Sequence, residues 1–339
     1  MMSDAVPDTF HRVLLFDRSA RCRMQFSGPK AAESLTGLVT NDVLALRGGD
    51  GLYACALTTK GRVIADVRIL ATAGADGTVE TLLVDTNAAA AVGFVAMIRK
   101  YVNPRLAKYV DVTAATSCIT LVGDGAASLL SRISGDAALI EEVESGAAFT
   151  HRRVRIGVTS LTVVRAPDLG SVDAFDLHAE RASADALIAL LTASGAESSS
   201  DDEWHRLRVT AGRPEWGLDM DESTLAQEAN MDALQAISYR KGCYTGQETV
   251  ARVHFRGHVN RTLRRVSYSD AVPPVIGTPL LATDTSPVGD ARSTAVTGTG
   301  ALIGIVMLRR EIGDGASLTW VAADAGVHSL TVVGTPDAD

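Results

Sequence analysis

Short apolar runs separated by glycine, proline and charged residues set the rhythm of this chain. Val13–Phe16 and Cys22–Phe26 read as strands, and Gly28-Pro29 then opens a helix with Ala32, Leu35, Leu38 and Val39 on one face. Leu52–Leu57 and Val63–Leu70 flank Thr58-Thr59-Lys60-Gly61, which predicts a hairpin whose glycine supplies the positive φ of the turn. Val79–Val84 predicts another strand, and Asn87 caps a helix carrying Val92, Val95, Ile98 and Val102 at helical spacing. The pattern begins again near Cys118: strand Ile119–Val122, helix Gly123–Ile133, a hairpin over Val154–Val164 around Gly157, strand Phe175–His178 and helix Ala182–Leu191. Ser200 and Glu203 have the spacing of a capping box and predict a further helix start. Beyond Arg256 the runs shorten and are broken by Pro273-Pro274, Gly277, Gly289, Gly298 and Gly313, the signature of a small all-β domain.

This pattern predicts an α+β protein with two α+β units over 1–115 and 116–258 and a β-barrel over 259–339. With 339 residues, 46% hydrophobic and 21% charged, the chain is long enough for two or three globular domains. Its longest apolar runs, such as Ala88–Ala96 and Gly300–Leu308, fall well short of the roughly 20 residues of a membrane span. The start of the chain has no basic segment ahead of an apolar one, so no secretory signal is expected and the cytosol is the predicted compartment.

Several chemistries are excluded by what is missing. The cysteines, Cys22, Cys55, Cys118 and Cys243, show no CxxC or CxH spacing, which argues against a zinc knuckle or a disulfide framework. Gly123-Asp124-Gly125 lacks the third glycine and the acidic residue of a dinucleotide site, and neither a P-loop nor a GxSxG elbow occurs. The net charge of -8 opposes broad coating of nucleic acid. One basic stretch stands against that background: Arg252–Arg265 holds Arg252, Arg256, Arg261, Arg264 and Arg265 with His254 and His258. Gly257 and the local alternation predict a strand there, which disfavours a metal site from the two histidines. The stretch is either an anion dock or a solvated basic face.

The segment Lys241-Gly242-Cys243-Tyr244-Thr245-Gly246-Gln247-Glu248 carries the most chemistry. Glycines on both sides of Cys-Tyr-Thr imply a sharply turned backbone that presents Cys243 to a cavity. Arg240 and Lys241 beside it would favour a thiolate, hence a nucleophile or soft-metal ligand. Glu248 would bind an amide or a cation at the cavity wall. Against this stands the bland reading of Cys243 as a small buried hydrophobe.

The octapeptide KGCYTGQE resembles the signature of the YgfZ family, and the run from Arg208 to Arg252 is similar to the matching segment of that family. Gly37–Val43, with Thr40-Asn41-Asp42, and Thr59–Asp66 resemble segments shared by YgfZ proteins and glycine-cleavage T-proteins. The resemblance implies two interleaved ferredoxin-like α+β domains and a C-terminal β-barrel, arranged as a three-domain ring around a cavity for tetrahydrofolate or a one-carbon derivative of it. It also implies a folate-facing role for Asp66, with Ala65 where T-proteins carry a first aspartate, and a pterin-edge role for Asp176 in place of a glutamate. Tyr244, Gln247, Glu248 and Arg252 join the implied folate-binding set, with Arg252, Arg256 or Arg261 meeting the anionic tail. Relatives of this family support iron-sulfur proteins, including tRNA-modifying enzymes, and the motif cysteine is tied to that activity. The expected partners are therefore folate and iron-sulfur clients or scaffolds, with Cys243 and Asp66 as the reactive pair. A lone cysteine does not complete a cluster, which takes four protein ligands; a cluster shared with partner thiolates and thiol or persulfide chemistry both stay open. Two alternatives remain: a folate-dependent aminomethyltransferase or demethylase, and a non-catalytic protein whose basic stretch binds a partner protein or tRNA.

Overall fold

The computed structural model describes residues 12–335 except 75, 76, 168, 170 and 171. Two mixed sheet-and-helix units and a closed barrel make up the fold. The first sheet has the order Gly51–Leu57, Val63–Ala73, Val79–Thr86, Cys22–Ser27, Lys108–Asp111, with every neighbour antiparallel. One face is covered by helix Ala88–Tyr101, which starts where the Asn87 side chain accepts from Ala89 N. That helix buries Ala90, Phe94, Met97 and Ile98, whereas Val92, expected on the inner face, is 79% exposed. Ile98 and Val102 of the predicted face are buried and Val95 packs against the same core, so Val92 alone of the four departs from it.

The second sheet runs Ala196–Ser198, Val13–Asp17, Thr116–Val122, Ala174–Glu180, Thr159–Arg165, His151–Ile156. Val13–Asp17 therefore lies outside the first sheet: it pairs antiparallel with Thr116–Val122 and parallel with Ala196–Ser198. The two units interleave across the boundary drawn at residue 115. Arg23, fully buried, fixes the crossing by donating to the carbonyls of Ser19, Arg21, Thr113 and Thr116. Helices Ala126–Ser134, Ala137–Ser145 and Ala184–Ala193 cover this sheet; the second was not predicted.

The barrel closes in the order Arg261–Tyr268, Leu302–Arg309, Pro287–Val296, Pro279–Leu281, Ser317–Val321, Val327–Gly334. Between second unit and barrel, helix Asp201–Ala211 begins at Ser200, whose hydroxyl accepts from Glu203 N as the capping box predicted. Helix Gln247–Arg256 occupies the start of the basic stretch, where a strand was predicted. Gly257 ends that helix rather than interrupting a strand, because Val250 drops into a core shared with Tyr53, Leu57, Leu263 and Met307. No helix among the described residues is long and apolar enough to cross a membrane.

Candidate functional site

The segments singled out in the sequence meet in space. Thr40 N donates to Cys55 O, its hydroxyl donates to Ala236 O at 2.6 Å, and the same hydroxyl accepts from Cys55 N. Asn41 Nδ2 bridges Tyr53 O (2.9 Å) and Gln235 O (2.8 Å). Thr40-Asn41 thus pins an irregular run onto the edge of the first sheet, and that run continues into the cysteine segment. Lys241, 8% exposed, turns inward and donates to Thr36 O and Val39 O at 2.5 and 2.6 Å, while Thr245 N donates to Gly37 O. Burial lowers the Lys241 amine to about 8. The cation expected beside the thiol is spent on backbone carbonyls instead, with Arg240 left exposed.

Of the two glycines flanking the cysteine, Gly246 alone adopts positive φ (84°). It packs against the hairpin turn: a Cβ there would lie 2.5 Å from Thr58 O and 3.3 Å from Gly61 Cα. Gly61, with the predicted positive φ of 75°, in turn abuts Thr249. Cys243, predicted to face a cavity, is exposed on the surface; Cys22, Cys55 and Cys118 are buried. Burial raises all three buried thiols, Cys118 to about 12 and Cys55 well above the ordinary value. Alkylation of the folded protein with iodoacetamide at neutral pH is accordingly expected to modify one thiol quickly, and Cys243→Ser to abolish that fast phase. Rapid loss of a second thiol would contradict the packing described.

A hollow lies on the other side of Tyr53. Its larger compartment, about 220 Å3, is walled by Asn41, Leu52, Tyr53, Phe149, Arg213 and Gln235. The smaller, about 40 Å3, is walled by Tyr53, Asp66, Arg68, Trp204, Arg213 and Trp216 among others. Tyr53 and Arg213 line both, so the two compartments adjoin at that pair. Asp66 Oδ2 accepts from the Tyr53 hydroxyl at 2.9 Å, and Asp66 Oδ1, buried, has no protein partner. Burial, then the neighbouring Asp66, keeps the Tyr53 phenol far above its usual range, so it stays a donor. The Arg213 guanidinium lies 4.6 Å from the Tyr53 ring centroid, and Arg18 3.8 Å from that of Trp204.

Asp176 stands behind this wall. It is 2% exposed, accepting from Arg68 Nη1 at 2.6 Å and from Thr120 at 2.5 Å. Arg68 also donates to Asp85 at 2.6 Å, joining the two sheets through one buried guanidinium. Cys118, Asp176 and His178 bring ligand atoms within 4.8 Å of one another. Asp176 is already engaged by Arg68 and Thr120, and burial raises the Cys118 thiol. Burial lowers His178 to about 4 and keeps it neutral.

The structure thus gathers Asp66 with aromatic and cationic walls, and it places Asp176 behind Arg68, which lines the smaller compartment. Tyr244, Gln247, Glu248 and Arg252 line neither compartment, and Cys243 does not open onto them. Tyr244 instead packs behind Tyr53 and Cys55, and Arg261, expected to meet an anion, pairs with Glu228 at 2.9 Å. The cationic wall comes from Arg18, Arg21, Arg68, Arg208 and Arg213, which sequence reading did not single out. Its available signal was that two of the three tryptophans, Trp204 and Trp216, bracket a cluster of arginines.

A model of the GCVT N-terminal domain family matches residues 3–238. The chain belongs to that family and is a YgfZ-like member of it. The tRNA-modifying protein YgfZ of Serratia proteamaculans is 29% identical over 239 residues, covering 70% of this chain and 66% of that protein, just under two thirds of its length. YgfZ of Escherichia coli O157:H7 is 28% identical over 254 residues, 74% of this chain and 71% of that protein. The glycine cleavage system aminomethyltransferase T of Bartonella henselae superposes with a TM-score of 0.81 over 96% of this chain and 86% of that one, at 19% identity, which establishes the common fold.

Proposed function

We propose that this protein binds a reduced folate in the Tyr53–Asp66–Arg213 cavity and serves as an accessory factor for iron-sulfur proteins, tRNA-modifying enzymes among them, through Cys243. The observation that carries the folate reading is the unpartnered, buried Asp66 Oδ1. A buried carboxylate oxygen without a donor is costly, and a pterin edge offers the N–H groups that would satisfy it. The flat ring suits walls of Tyr53, Phe149 and Trp216, and Arg213 offers charge for a glutamate tail. When bound, the folate would supply one-carbon chemistry. The chain's own part is to orient the ring through Asp66, hold the Tyr53 proton in place, and exclude water with aromatic side chains. The relatives' naming as tRNA-modifying proteins supports the link to tRNA modification. An exposed Cys243 on an anchored loop supports thiol chemistry directed at a partner rather than at the folate.

Isothermal titration with tetrahydrofolate tests the reading. The native chain is expected to bind, Asp66→Asn to weaken binding about 10- to 100-fold, the worth of a hydrogen bond to a charged group, and Cys243→Ser to bind as the native chain does. No heat of binding with the native chain, or full affinity in Asp66→Asn, would overturn it. In cells, Cys243→Ser is expected to lose support of iron-sulfur enzymes despite intact folate binding.

A further inference from the structure

The basic stretch is divided in a way its sequence does not show. Arg261 pairs with Glu228, Arg264 with Asp314, and Arg265 donates to Thr210 O, so its second half is consumed by the fold. Arg252 and Arg256, on helix Gln247–Arg256, and Arg240 on the preceding loop are exposed, and their side chains make no hydrogen bond or ion pair among the described residues. Three unneutralised guanidinium groups lie close along the chain in a protein of net charge -8.

Aromatic rings accompany them. Tyr239 and His254 are stacked, centroids 3.6 Å apart with 16° between planes. Phe255 meets both edge-on, at 6.0 and 4.7 Å, and is 67% exposed. Helix Gln247–Arg256 anchors itself through Val250, so Phe255 contributes little to its own core. An exposed phenylalanine next to a stacked pair, flanked by free arginines, matches what a single-stranded nucleic acid needs: a ring face for an unstacked base and cations for the adjoining phosphates. An acidic peptide would use the arginines and leave the rings without a role. A duplex would offer no base to stack.

We propose that Phe255, the Tyr239–His254 stack and Arg240, Arg252 and Arg256 form a docking surface for a short single-stranded segment of RNA. The base-stacking and phosphate contacts follow from the surface itself; the choice of RNA over DNA rests on the tRNA-linked reading above. With three unneutralised cations on a chain of net charge -8, the footprint is a few nucleotides. The salt dependence is correspondingly shallow, a log-log slope of about -2 for three phosphates at ~0.7 each.

Fluorescence anisotropy with a labelled, unstructured RNA about ten nucleotides long, without folate present, tests this. The native chain is expected to bind. Phe255→Ala is expected to weaken binding roughly ten-fold, in keeping with the loss of one stacked base. The double variant R252Q/R256Q is expected to reduce the salt slope by about 1.4. Asp66→Asn is expected to bind RNA as the native chain does, which separates this test from that of the folate site. The proposal is overturned by no binding up to about 100 µM protein, the weak end of non-specific affinity, by Phe255→Ala binding unchanged, by polyglutamate displacing the RNA as well as unlabelled RNA does, or by tighter binding to the DNA oligonucleotide of the same sequence. Phe255 and both arginines are exposed, so circular dichroism of the variants is expected to match the native chain.

Discussion

Replacing Arg68 by methionine is expected to destabilise the folded protein by about 3–5 kcal/mol, the cost of breaking a buried ion pair by removing one partner. Arg68 holds Asp85 within its own sheet and Asp176 across the interface, both at 2.6 Å, and all three side chains are at most 4% exposed. The methionine would leave two carboxylates buried together, with Arg21 the remaining cation on Asp85 and Thr120 the remaining donor to Asp176. Burial by itself would raise Asp85; Arg21 and Arg68 outweigh it and hold the carboxyl well below the usual range. A carboxyl depressed in the folded state stabilises the fold above its unfolded value, about pH 4, and that contribution is lost as pH falls through the folded value. The native chain should therefore keep this term down to about pH 4 and lose it only in stronger acid. Urea unfolding at pH 7 measures the predicted loss, and a variant within about 1 kcal/mol of native would mean the network is not what couples the two sheets.

That network also shows where sequence reading reached its limit. Asp66, Asp176 and Arg68 stand at positions that alternation places on strands, but alternation does not say which sheet faces which. Asp176 has the strand pattern of an inward acid and the position of a pterin ligand by resemblance; it takes coordinates to see that Arg68, 108 residues away in sequence, occupies it. Local signals fared better. The Thr58–Gly61 turn and the Asn87 and Ser200 caps are set by nearest neighbours, and each formed as predicted. Helix Gln247–Arg256 was misread because its start is fixed by a tertiary contact, Gly246 on the hairpin turn, which no local window contains. The barrel was legible as texture, from its glycines and short apolar runs, while its closure depends on pairings between distant strands such as Arg261–Tyr268 with Val327–Gly334. The cavity itself was not legible beyond Asp66, since its walls come from Arg18, Tyr53, Trp204 and Arg213, brought together by the interleaving of the two units.

The two glycines of the cysteine segment are expected to behave oppositely on substitution. Gly246→Ala should cost about 2–5 kcal/mol, combining a left-handed backbone on a residue with Cβ and an overpacked contact. The methyl group would sit 2.5 Å from Thr58 O and 3.1 Å from Leu57 Cβ. Both belong to the hairpin between Gly51–Leu57 and Val63–Ala73, so neither has a flexible end that can move aside. Gly242→Ala meets nothing within 4 Å and should stay within about 0.5 kcal/mol of native, as exposed substitutions do. Denaturant midpoints of the two variants check the contrast. The same change should reach the chemistry: pushing Gly246 off the turn frees the segment that Lys241 and Thr245 hold against Thr36, Gly37 and Val39. Cys243 would then be carried on a mobile loop, its alkylation rate still fast but its presentation to a partner lost. Equal stability of the two variants would show that the cysteine segment is not seated on the Thr58–Gly61 turn, and with it would go the reason for two separated motifs sharing one glycine-to-glycine contact.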